Sequence, residues 1–192
     1  MAPGANLSRF RLLFFCLLAG CCSGVAWADG WKVYSGPDGR TPPALALSDM
    51  DGRAVDLAAL RGKVVLVNFW ATWCEPCRAE MPSLNRLQQR LRDRNFKVIA
   101  VNIGEGRARI QQFLASVPVD LTIVRDADSE FVKAWRVRIL PSSFLIDQHG
   151  LLRYQLVGDA DWNDTGLQGP ILELLDRNNP GGRLYSTGEK QQ

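Results

Sequence analysis

The run Lys63 to Trp70 (KVVLVNFW) constrains this chain more than any other stretch. A strand with one wet face alternates apolar and polar residues. This run is apolar and β-branched almost throughout, the pattern of a strand buried on both faces. Such a strand needs cover from two layers, which points to an α/β architecture. The downstream residues supply that cover. Met81, Leu84, Leu87 and Leu91 recur at helical spacing, and Phe96 to Ile103 (FKVIAVNI) is a second strand of the buried type. Strand, helix and strand in that order form a right-handed βαβ unit.

The remaining elements complete a small mixed sheet. Leu45 to Leu47 and Arg53 to Asp56 flank the turn dipeptide Asp51-Gly52 and read as a hairpin. Arg107 to Ser116, with Ile110, Phe113 and Leu114 on one face, reads as a helix. Leu121 to Val124 is a short strand, and Ser129 to Trp135 a short helix with Ser129 as its N-cap. Ser142 to Asp147 and Leu151 to Val157 form a closing hairpin around His149-Gly150. Leu167 to Leu175 is the last helix. The 192 residues, 46% of them hydrophobic, suffice for one domain with a proper core. Its expected span is 44–176, preceded by a Pro/Gly-rich linker at 29–43 and followed by a loose polar tail at 177–192.

Residues 1–28 read as a targeting segment. Arg9 and Arg11 precede the apolar stretch Leu12 to Leu18, which is well short of the roughly 20 residues of a spanning helix. Two processing routes compete. Leu18-Ala19-Gly20-Cys21 resembles a bacterial lipobox, which would acylate Cys21 and tether the chain to a membrane. Ala26-Trp27-Ala28 is a small-x-small cleavage site, which would leave Asp29 first. Either route exports the domain to the periplasm or another extracytoplasmic space. Arg9 and Arg11 also supply two of the three surplus positive charges, so the remainder is near neutral and gives no reason to expect nucleic acid as a partner.

Of five cysteines, Cys16, Cys21 and Cys22 lie in the targeting segment, and the domain keeps Cys74 and Cys77. A closed zinc site needs about four Cys or His ligands. Only this pair and His149 are on hand, and His149 reads as an exposed turn residue, so no metal is expected. A structural bridge across so short a loop would constrain the unfolded chain little. Redox chemistry accounts for the surroundings. A helix starting near Cys74 presents that thiol at its N-terminus, where unpaired N–H groups and the helix dipole stabilise a thiolate. Pro76 suits the first turn. Cys77, one turn inward, is placed to resolve a mixed disulfide formed by Cys74. Trp70 reads as core, and Trp73 as a rim residue that can meet a partner chain.

From about Pro43 to Asp176 the chain resembles the thioredoxin-like TlpA family of exported thiol–disulfide oxidoreductases. The residues that carry the likeness are the Asp51-Gly52 hairpin, the approach Gly62 to Cys74 (GKVVLVNFWATWC), the Cys-Glu-Pro-Cys motif and Leu140 to Asp147 (LPSSFLID). The resemblance implies a thioredoxin fold, a mixed central sheet flanked by helices with an N-terminal β-hairpin extension, and a redox-active Cys74–Cys77 disulfide. It implies a cis Pro141 against that disulfide, with Leu140 pairing with substrate beside Trp73, Glu75 and Pro76. Asn68 stands where ordinary thioredoxin has a buried aspartate, and asparagine cannot move protons. Glu80, on the same helix face as Cys77, is the candidate for that work; its competing reading is a solvated surface acid. No cofactor is implied. The expected partners are disulfide-containing exported proteins, apocytochrome c among the family-level substrates, with a membrane thiol transporter of the DsbD or CcdA type as electron donor. A thiol peroxidase and a redox-inactive binding module are the alternatives.

Overall fold

A computed structural model describes residues 30–36 and 40–177. The targeting segment, with Cys21 and the Ala28 cleavage site, and the tail beyond 177 lie outside the described residues.

Eight strands and four α-helices follow in the order β1 (Lys32–Val33), β2 (Ala46–Ser48), β3 (Ala54–Asp56), β4 (Val64–Trp70), α1 (Glu75–Arg90), β5 (Phe96–Ile103), α2 (Arg107–Ser116), β6 (Thr122–Asp126), α3 (Glu130–Ala134), β7 (Ser142–Ile146), β8 (Leu152–Val157) and α4 (Thr165–Asp176). Six strands make one mixed sheet in the order β1-β8-β7-β4-β5-β6, while β2 and β3 pair as a separate hairpin. Strands β4, β5 and β6 run parallel; β7 is antiparallel to β4, and β8 to β7.

Every residue of β4 is buried, as a central strand with two covered faces requires. Its period of two divides the side chains between two cores. Val64, Leu66 and Trp70 meet Met81, Leu84 and Leu87 of α1, Ile110 and Phe113 of α2, and Ile171 and Leu174 of α4. Val65, Val67 and Phe69 meet Leu45, Leu57, Trp135 and Phe144 on the other side, where α3 and the hairpin lie. Asn68 falls on the face covered by α1. That alternation is what aims its amide at the helix carrying the cysteines.

Two expectations change. The 29–43 segment contributes an edge strand: Lys32 pairs with Gln155 and Val33 with Tyr154. A linker pattern marked by Pro and Gly does not register two residues whose pairing is set by β8. Ser129 stands at the N-cap of α3 in a left-handed conformation (φ 60°) and its side chain makes no capping bond. Asp126 caps instead, its carboxylate accepting from the N–H groups of Phe131 (3.1 Å) and Val132 (2.8 Å).

Candidate active site

Strand β4 delivers the chain to Ala71, and α1 begins at Glu75 with Cys74 as its N-cap. Cys74 and Cys77 are joined by a disulfide, their Cα atoms 5.3 Å apart. The Cys77 N–H donates to Cys74 Sγ at 3.3 Å, so the first sulfur occupies the place a capping oxygen usually takes. The two sulfurs are unequally placed: Cys77 is fully buried, while Cys74 keeps 6% of its surface. Attack from solvent therefore falls on Cys74.

Around Cys74 lies a groove of about 480 Å³ lined by Trp73, Pro76, Ile103, Val132, Val137, Arg138 and Leu140. Trp73 is 65% exposed, with its ring at the mouth. The Leu140–Pro141 peptide is cis, and Pro141 is buried while Leu140 reaches the groove. Glu75 does not line it. Its exposed carboxylate turns to Arg78, 3.0 Å away. His149 is exposed in the β7–β8 turn, and no group of residues able to hold a metal ion occurs among the described residues.

Beneath the disulfide-bearing turn sits Glu80, only 3% exposed. The surface-acid reading is therefore ruled out by burial. Its Oε1 accepts from Asn68 Nδ2 (2.8 Å), and its Oε2 from the Ala160 N–H and Trp162 Nε1 (both 3.3 Å). Asn68 also donates to Ser143 Oγ at 3.0 Å, across the pair that the β4–β7 register sets opposite one another. Ser83 fixes the loop from outside, accepting from the Trp162 N–H and donating to the Glu80 carbonyl. Loss of water pushes the Glu80 carboxyl from 4.5 up to about 7, helped slightly by Asp159. The bonds from Asn68, Trp162 and Ala160 act the other way and hold it from going higher. A carboxyl that titrates near neutrality can take and return a proton under ordinary conditions.

The helix spacing of Glu80 points inward from the sequence, but Ala160 and Trp162 lie 80 and 82 residues away in a loop without periodicity. No local signal marks them as its cradle.

Fold and site together define a thioredoxin-fold thiol–disulfide oxidoreductase. The comparisons agree. A family profile, Redoxin, matches residues 37–169, and the chain belongs to that family as a TlpA-like thioredoxin-family enzyme. It is 38% identical over 126 residues to the thiol-disulfide oxidoreductase ResA of Geobacillus thermodenitrificans, covering 66% of this chain and 72% of that protein. To ResA of Bacillus subtilis it is 32% identical over 139 residues, covering 72% and 76%. Among solved structures, it is similar to a candidate thiol:disulfide interchange protein DsbE of Chlorobium tepidum, with TM-score 0.67 and 35% identity over 71% of this chain and 96% of that one.

Proposed function

We propose that this enzyme is an exported reductase that returns disulfides of extracytoplasmic proteins to dithiols. The observation that carries the reading is the layering of the site: a groove-exposed sulfur, a sealed sulfur, and a sealed carboxyl of raised pKa one helical turn beyond.

Cys74, as thiolate, attacks one sulfur of a client disulfide seated in the groove beside Trp73, Pro76 and Leu140, with Pro141 behind. An S–S bond forms to the client and the client's other sulfur leaves as thiolate. Cys77 then gives its proton to Glu80 and attacks Cys74 Sγ. The mixed disulfide breaks, the client departs with both thiols after protonation, and Cys74–Cys77 closes. Two electrons have passed to the client. A dithiol donor must restore them, and a membrane thiol transporter of the DsbD or CcdA type fits that need. Apocytochrome c, whose haem attaches to reduced cysteines, is a client of the required chemistry. Residues 1–28 direct export, with acylation at Cys21 or cleavage after Ala28.

No cation stands between the cysteines, and Glu75 sets a carboxylate beside Cys74 that disfavours its thiolate, although Arg78 offsets part of that field. A less stabilised dithiol is a stronger reductant. Equilibration against glutathione is expected to place the pair toward the thioredoxin end of the range, and Cys77→Ser to retain clients as mixed disulfides through Cys74. A potential near the roughly −120 mV of DsbA would overturn the reductase assignment.

A further inference from the structure

A second pocket, of about 230 Å³, is lined by Thr72, Arg78, Arg109, Gln112, Phe113 and Ser116. The disulfide chemistry makes no use of it. Its walls are polar and cationic, and one cation is held in a specific way. The backbone N–H and hydroxyl of Thr72 both donate to the Glu105 carboxylate, at 2.7 and 2.5 Å, and Asn102 Nδ2 donates to the same group at 2.7 Å. With its proton committed to Glu105, the Thr72 hydroxyl accepts from Arg109 Nε at 3.1 Å. That bond fixes the guanidinium by its inner nitrogen. The two terminal nitrogens of Arg109 have no partner among the described residues, and they are the pair that forks onto a carboxylate. Glu105 already accepts three bonds from Thr72 and Asn102 and makes none to the terminal nitrogens of Arg109, while the carboxylate near Arg78 belongs to the exposed Glu75.

We propose that this pocket is a client subsite that takes an acidic side chain, so that segments with Asp or Glu near the cysteine are reduced in preference. Thr72 is two residues from Cys74 and Arg78 one turn along α1, so a client extended across Trp73 reaches both the sulfur and the arginines. Arg109 is the specificity-determining residue. Thr72 and Glu105 are its positioning residues. The subsite presupposes the client exchange proposed above.

The test uses the full chain, reduced, and two disulfide-bridged peptides: one with glutamates flanking its cysteine, the other its glutamine isostere. The glutamate peptide is expected to react about threefold to fivefold faster, as an exposed ion pair allows. That ratio is expected to fall toward one in Arg109→Gln, to survive in part in Arg109→Lys, and to shrink between about 20 mM and about 500 mM salt as the charges are screened. Equal rates for the two peptides with the unaltered chain, or an unchanged ratio in Arg109→Gln, would overturn the subsite. Failure to reduce either peptide would instead refute the reductase reading, and the subsite with it.

Discussion

Glu80 shows what burial does to a single residue. Its carboxyl is raised, so between about 4.5 and about 7 the folded chain holds a proton that the unfolded chain has released. The stability contributed by that proton is fully present below pH 4.5 and is lost as pH rises through about 7. The shift corresponds to about 3 kcal/mol. Glu80→Gln, which cannot ionise, is expected to gain stability relative to the unaltered chain as pH rises from about 5 to about 8, in urea unfolding of the oxidised protein. The same variant is expected to slow reduction of a model disulfide near neutral pH and to move the pH dependence of Cys77 alkylation, since it removes the proposed acceptor of the thiol's proton. Parallel stability curves together with an unaltered alkylation profile would remove Glu80 from proton transfer.

At the scale of elements, periodicity decided what could be read in advance. The β4 run and the 3.6-residue spacing of α1 each bury a complete face, so both were legible, and with them the cysteine pair and the inward direction of Glu80. β5 and α2 span the residues their patterns mark, for the same reason. The cap of α3 was not legible. Serine before a short helix is a sound local rule, but here the last residue of β6 is buried beside the helix start and reaches two N–H groups at once. Tertiary placement overrode local preference. Asp126→Ala is therefore expected to cost about 2 kcal/mol in chemical denaturation, the upper range for a lost cap, because a buried carboxylate's two bonds go with it. Ser129→Ala should stay within about 0.5 kcal/mol. Because Val132 lines the groove, Asp126→Ala should also weaken reduction of peptide disulfides. A larger loss in Ser129→Ala than in Asp126→Ala would restore serine as the cap.

Across the whole molecule, the edge strand ties the segment before the domain to its chemistry. Trp31, just before β1, packs 5.9 Å from the Trp162 ring and 6.3 Å from Tyr154, and its Nε1 donates to the Leu167 carbonyl at 2.8 Å. Trp162 in turn donates to Glu80. A residue from the stretch that composition marks as a linker thus closes the wall behind the buried Glu80 carboxyl. Such long-range closure leaves no trace in local sequence, because neither partner repeats with the period of an element. Trp31→Ala is expected to destabilise the fold by about 2 kcal/mol, below the cost of a fully buried tryptophan since Trp31 is only half-buried. Its effect on chemistry has a definite sign. Desolvation is the largest influence on Glu80, so loosening Trp162 and admitting water should lower the carboxyl toward its ordinary range, even though a weakened bond from Trp162 pulls the other way. The pH midpoint of Cys77 alkylation that depends on Glu80 should move down in Trp31→Ala and largely recover in Trp31→Phe, which keeps the ring contact and loses only the bond to Leu167. A stability loss with the midpoint unmoved would confine Trp31 to holding the sheet edge.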